Sequence, residues 1–450
     1  MLTQKSDKMP IIITMIFFVI VSSVLTFSLA VFVVQLFLAS ITISMIMRKN
    51  YKTAKLYVVI FIVSLIFVFL LYMANDMYYG SPYYVGGSDD VNFEYEGRVI
   101  IDSGIYNPSE ILESGIIGRT NNAPFFSLYI SFLIRFSELF GIYSTFLPRI
   151  MNVYYLMWVC MILEYLLKKH ANFTDKKTDI SIALFSLTPN IQYINSHVFR
   201  DTFNLLQILL IVLLFDKLVR KNNFVKKILY MGLLAFLLYI TYYTRKNALV
   251  FAGAICLLVL AEKIKIKKRY IFIIVIPIVM LSGFLDTIRL KYFINTYSNY
   301  VLGIAGDGLS RFIFRQPLLP FGIIYRTLYA FITPFPNFIG LFNEPTRILF
   351  DFIMLLIYCG VVIQILFIPF ILKRSSKFDW LSLSFLIWFL GIIATTFTFR
   401  HVLLYYPFMV ALGVDGYLST SKKPRVQILF ISGVTGFLLS IVYLLLKTSF

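Results

Sequence analysis

The sequence predicts an all-α polytopic membrane protein with about thirteen transmembrane helices and one membrane domain over residues 1–450. Three observations carry this. Of 450 residues, 59% are hydrophobic and only 14% charged, more apolar surface than a soluble domain of that length can hide. Apolar runs of about 17–25 residues recur from end to end, continuous rather than alternating, which excludes a β-barrel. The net charge of +19 comes from short Lys and Arg clusters between those runs. The positive-inside rule requires such clusters, so the charge does not point to nucleic acid.

The elements follow in order. Residues 10–47 are almost uninterrupted apolar sequence. One straight helix would reach about 57 Å, twice the hydrocarbon core, so two short spans joined by a tight turn are expected. Two spans also place Lys5 and Lys8 on the same side as Arg48, Lys49, Lys52 and Lys55. A third span, 55–73, then delivers the stretch GGSDDVNFEYEGRVIID (86–102) to the outer face, with Asp89, Asp90, Glu94, Glu96 and Asp102.

The next apolar piece, 124–146, carries Ser127, Ser131, Arg135 and Glu138 at spacings of 4, 4 and 3. That polar stripe predicts a helix lying in the outer interface. An ordinary span is the alternative, and it would invert every later cluster. The remaining spans fall at 148–167, 180–196, 202–219, 227–244, 247–262, 270–286, 348–372, 380–399, 402–418 and 426–446. The N-terminus is then inside and the C-terminus outside. The basic clusters Lys168–Lys177, Lys217–Lys227, Lys263–Arg269, Lys373–Lys377 and Lys422–Arg425 all land inside.

Two extracytoplasmic regions result, 74–147 and 287–347. The second contains an apolar piece at 318–342 with PFPN at 334–337, read as interfacial or re-entrant. Cys160, Cys256 and Cys359 fall inside apolar spans, so neither a disulfide framework nor a thiolate metal site is expected. The first apolar segment is too long for a cleaved signal peptide.

On this topology the outer ends of spans collect Asp89–Asp90, His197, Arg200–Asp201, Arg245–Lys246 and Arg400–His401. The outer loops add Arg289, Lys291, Arg311, Arg315 and Arg347. Charges at bilayer depth are costly and face a cavity or a partner. Plainer uses exist: Arg200 and Asp201 also suit a helix end, Arg245–Lys246 an interfacial turn, and His197 a satisfied polar group. Together the set suits a lipid-phosphate-linked donor. Arg grips phosphate by paired hydrogen bonds and Lys acts as a point charge. A carboxylate serves as base for an acceptor hydroxyl or amine. The cations stabilise the charge that develops on the leaving phosphate. A divalent Mg or Mn ion is a further use for two adjacent acids.

Short motifs in order carry a resemblance. An outer-loop Asp-Asp follows an early span, then Gly-x-Tyr-Asn-Pro (104–108), Asn-Asn-Ala-Pro-Phe-Phe-Ser-Leu-Tyr (121–129), Phe140-Gly141 and Leu-Pro-Arg-Ile-Met-Asn (147–152). Further on come Thr188-Pro189-Asn190, His-Val-Phe-Arg-Asp (197–201), Thr244-Arg245-Lys246-Asn247, and Arg400-His401 with Tyr-Tyr-Pro-Phe (405–408). Over residues 55–420 this resembles the GT-C superfamily of membrane glycosyltransferases, including its protein mannosyltransferase-like and aminoarabinose-transferase-like members.

The resemblance implies Asp89 or Asp90 as the base. It implies Arg200, Arg245, Lys246 and Arg400 as ligands of the donor phosphate, with Asp201, His197, His401 and Arg149 in support. It further implies a polyprenyl-phosphate sugar as donor and inversion at the anomeric carbon. The chain departs from the family in two extra leading spans, in a larger 287–347 region and in the lack of a following soluble domain. Those departures leave the acceptor open among a cell-envelope glycan, a lipid and a protein.

Two other classes stay in view. Arginines concentrated in a large later loop suit a polymerase or ligase of polyprenyl-pyrophosphate-linked oligosaccharides. A transporter of lipid-linked glycan would show paired broken spans and ionisable groups near the midplane. Abundant Ile, Phe, Lys and Asn point to an AT-rich, bacterial genome and hence to a bacterial cell membrane.

Overall fold

A computed structural model describes residues 8–83, 89–117, 123–220, 223–264, 321–333, 341–395 and 399–449, with the isolated positions 313 and 316. The expected span 270–286, the PFPN motif and Arg289, Lys291, Arg311 and Arg315 lie outside the described residues. Among the described residues every regular element is helical, and ten helices are long and apolar enough to cross a membrane. The protein is a multi-pass α-helical membrane protein. The chain comprises two compact units whose segments alternate along the sequence, so no single linker divides them.

The first unit holds Met1–Tyr165, Ile182–Leu249 and Asn337–Leu356. It opens with the hairpin of α1 (Met9–Thr26) and α2 (Leu29–Ile46). Phe27 turns the chain in the left-handed region at φ 49°, and the Ser28 side chain caps α2 by accepting from Val31 N. Gln35 zips the two helices from inside, accepting from Ser22 Oγ at 3.0 Å and donating to Ser23 Oγ at 3.3 Å. At the open end, Lys8 Nζ donates to the carbonyls of Met47 and Lys49 at 2.9 and 2.5 Å. Residues 8 and 47–49 therefore share one end of the hairpin.

Helix α3 (Tyr51–Tyr79) starts on the Asn50 side chain and stops at Gly80, whose φ of 66° a side chain would strain. Then come α4 (Asp89–Ser103), α5 (Pro108–Ser114) and α6 (Pro124–Glu138). Helix α6 has 15 residues and reaches only about 22 Å, too short to cross the hydrocarbon core. Its polar stripe has a different cause from the one expected. Ser127 and Ser131 are fully buried against α4, where Glu96 accepts from Ser127 Oγ at 2.5 Å. Gly97 permits the contact: a Cβ there would sit 3.2 Å from Ser131 N, Ile130 and Ile134. Only Arg135 and Glu138 of the stripe face outward.

Helix α7 (Phe146–His170) begins in this unit and ends in the second. The expected span 180–196 is two helices, α8 (Asp175–Leu187) and α9 (Pro189–Asn195). Pro189 is the reason, because it lacks an N–H and holds Thr188 in the extended region at φ −63°, ψ 128°. Helices α10 (Asp201–Arg220), α11 (Phe224–Thr244) and α12 (Lys246–Ile264) follow.

The second unit holds Leu166–Ser181, Val250–Pro336 and Ile357–Phe450. Its described helices include α13 (Ile323–Ile332), α14 (Ile348–Ser375, shared with the first unit), α15 (Trp380–Thr395), α16 (Val402–Ser419) and α17 (Lys422–Ser449). Helix α13 is ten residues long and cannot cross a bilayer. Its free C-terminal carbonyls, of Ala330 and Phe331, are taken up by Gln364 at 3.2 and 2.6 Å, and Tyr405 also donates to Ala330 O. Buried charge gathers where α14, α15, α16 and α8 meet. Arg374 bonds Asp415 and, at 2.5 Å, Asp379, while Lys177 reaches Asp415 at 2.6 Å.

Candidate functional site

Helix α4 begins with Asp89 and Asp90, where the helix dipole favours negative charge. Asp89 is partly exposed and Asp90 fully buried. Asp90 Oδ2 faces two groups from later segments: Arg149 Nη2 at 3.6 Å and His197 Nδ1 at 3.5 Å. All three side chains have 0% exposure.

The break at Thr188–Pro189 helps to build this cluster. Helix α9 ends at Asn195, so the carbonyls that follow lack intrahelical donors. Side chains of α7 supply them. Arg149 Nη1 donates to Ser196 O at 2.7 Å and Asn152 Nδ2 to His197 O at 3.0 Å. Arg149 and Asn152 are three residues apart, hence on one face of α7. Arg149 Nη2 also donates to Pro82 O at 2.5 Å, tying in the segment after α3. The His197 ring stacks on Phe199 at 4.7 Å and meets Tyr193 edge-on at 4.8 Å.

A second group forms between the start of α10 and the end of α11, in the same unit. Arg245 Nη1 donates to Asp201 Oδ1 at 3.1 Å, and Arg200 Nη1 to Thr244 O at 3.4 Å. The Arg200 guanidinium lies 6.0 Å from the ring centre of Phe93, one turn along α4 from Asp90. Lys246 Nζ sits 4.9 Å above the Tyr242 ring. Helix α4 thus carries Asp90 on one contact and Arg200 on another. Arg400 and His401 belong to the second unit, in the short turn Phe399–His401 ahead of α16, with His401 buried.

The sequence reading named Glu94 among the outer acids but gave no role to it or to Arg98, Tyr83 and Tyr143. Glu94 Oε1 accepts from Arg98 Nη2 at 2.9 Å, and the Tyr83 hydroxyl donates to Oε2. Burial pushes the Tyr83 hydroxyl up, and its hydrogen bond to Glu94 acts in the same direction. Burial also holds Tyr143 well above the ordinary tyrosine range, with the charge of Glu94 adding to it. The available signal was spacing: Asp90, Glu94 and Arg98 recur every four residues.

Among the described residues no group of three or more His, Cys, Asp or Glu side chains is placed to hold a metal ion. Asp90 faces a guanidinium rather than a second acid, a donor set that does not suit a divalent cation. The chain matches no protein-family profile, no curated protein and no solved structure.

Proposed function

We propose that the protein is a membrane glycosyltransferase that moves a sugar from a polyprenyl-phosphate donor to a cell-envelope glycan, lipid or protein, on the extracytoplasmic face of a bacterial membrane. The observation that carries this reading is the pairing of a buried acid with a cationic sector along one short helix. Asp90 meets Arg149 and His197, and Arg200 meets the same helix one turn later. The acceptor hydroxyl gives its proton to Asp90 as its oxygen bonds the anomeric carbon. The bond from that carbon to the phosphate oxygen breaks, and the phosphate leaves with the electron pair. Arg200, Arg245 and Lys246 receive that charge, and attack opposite the leaving group inverts the anomeric centre. Arg149 and His197 hold Asp90 in place. Asp89, partly exposed beside it, is the alternative base.

The test is transfer from a polyprenyl-phosphate sugar by the full-length protein in proteoliposomes. Asp90→Asn is expected to lower turnover by roughly 10²–10⁴-fold with the folded monomer peak intact. Asp89→Asn is the control. Full turnover in both variants would remove the base assignment, and absence of turnover in the wild type with every donor tried would remove the reaction.

A further inference from the structure

Helix α4 carries two acids one turn apart in opposite circumstances. Glu94 lies four residues from Asp90, so the two project from neighbouring positions of one face, about 6 Å apart at Cβ. Asp90 is sealed, whereas the Glu94 side chain keeps 16% of its surface exposed and its partner Arg98 50%. Both oxygens of Glu94 are engaged, Oε1 by the Arg98 fork at 2.9 and 3.3 Å and Oε2 by the Tyr83 hydroxyl. The Arg98 guanidinium lies 5.9 Å from the ring centre of Tyr143. Three separate segments, the end of the α3 loop, α4 and the approach to α7, thus converge one turn beyond Asp90. A solvated i,i+4 ion pair would need only Glu94 and Arg98.

We propose that Glu94, Arg98, Tyr83 and Tyr143 form a binding subsite for a neutral carbohydrate, which on the transferase reading is the acceptor. The charges decide the class. One carboxylate and one guanidinium cancel, so nothing here draws a phosphate, in contrast to the Arg200, Arg245 and Lys246 sector. A sugar hydroxyl both donates and accepts, and a carboxylate beside a half-exposed guanidinium supplies both complements within one hydroxyl spacing. Tyrosine rings give the apolar surface that the C–H face of a pyranose requires. The position is consistent with this: the subsite lies one turn along α4 from Asp90, the acid proposed to take the acceptor's proton.

The test is saturation-transfer NMR on the full-length protein in nanodiscs, with methyl glycosides of glucose, mannose and N-acetylglucosamine as probes. At least one glycoside is expected to receive saturation from the wild type, with the signal lost in Glu94→Gln and in Tyr143→Leu. Arg98→Met, whose side chain is half exposed, serves where Tyr143→Leu does not fold. Wild-type signal in Glu94→Gln and Arg98→Met, or no signal from any glycoside with the wild type, would overturn the subsite. In a transfer assay, Glu94→Gln is expected to raise the acceptor KM by about 10- to 100-fold with the donor KM unchanged. A raised donor KM with an unchanged acceptor KM would also overturn it. Glu94-dependent glycoside binding without turnover of any polyprenyl-phosphate sugar would end the transferase reading and leave the subsite standing.

Discussion

Each unit buries a cluster of acids and bases, and the two are built to different tolerances. In the second unit Arg374 grips Asp415 and, at 2.5 Å, Asp379, and Asp415 is held again by Lys177 at 2.6 Å. Ser382 adds two bonds to Asp379, from its backbone N at 3.1 Å and from its hydroxyl at 3.0 Å. Every contact is a hydrogen bond, and three chain segments are riveted together. In the first unit Asp90 stands 3.6 Å from Arg149 and 3.5 Å from His197, within ion-pair range but beyond good hydrogen-bond geometry. Arg149 spends its short bonds on two backbone carbonyls instead. The second cluster is closed by short side-chain bonds, and the ion pairs of the first stand at longer distances. On the transferase reading, the first cluster serves chemistry and the second architecture.

The largest expected effect follows from removing one partner of the saturated network. Asp415→Asn leaves Arg374 and Lys177 short of an anion in a buried setting, and stability should fall by about 3–5 kcal/mol. Thermal unfolding in detergent reads this directly. Asp90→Asn should cost less, about 1–3 kcal/mol, because Arg149 retains both carbonyls. Equal losses at the two sites, or a larger loss at Asp90, would erase the distinction between them.

The next effect concerns the cationic sector. Arg245 pairs with Asp201 and keeps 19% of its side chain exposed. Arg245→Ala should raise the donor KM roughly tenfold or more, and Arg245→Lys should recover part of that, since an ammonium keeps the charge but not the fork. If Arg245→Lys equals the wild type, Arg245 acts as a plain counter-charge to Asp201. If donor KM is unmoved in Arg245→Ala, the sector takes no phosphate.

Much of the fold was legible because it depends on length and apolarity alone. The excess length of 10–47 called for a hairpin, and Lys8 closing on Met47 and Lys49 shows why basic residues cluster at both ends of it. Pro189 was equally visible, yet apolar residues on both sides of it gave a continuous hydropathy run, so the break at Thr188 passed as one span. The stripe on α6 was read correctly as a face, but its direction was not legible. Periodicity says which residues share a face and is silent on whether water or another helix lies against it. Ser127 and Ser131 face α4 because Gly97 lets the backbones close, a pairing between residues 30 or more apart. The candidate site suffered in the same way. Asp90 and Arg149 could each be picked out, but Glu94 gains meaning only once α4 has a register and Tyr83 lies against it.

The smallest expected effect is a pH dependence at the rim of the saturated network. Asp379 lies outside the spanning helices. Burial pushes its carboxyl up, but the Arg374 hydrogen bond and the Ser382 contacts outweigh this and hold it below the usual carboxylate range. A folded-state value below the unfolded one means the unfolded chain binds more protons as the solution is acidified. The stability contributed by Asp379 is therefore complete above the unfolded value of about 3.9 and is lost as pH falls through the lower folded value. Unfolding temperature followed from pH 6 down to about 3 should decline more steeply for the wild type than for Asp379→Asn, which has no proton to gain at that position. Because the carboxylate is 30% exposed, the two curves should differ modestly and should draw together in high salt. Parallel curves would show that Asp415 alone carries the network, with Asp379 a surface partner.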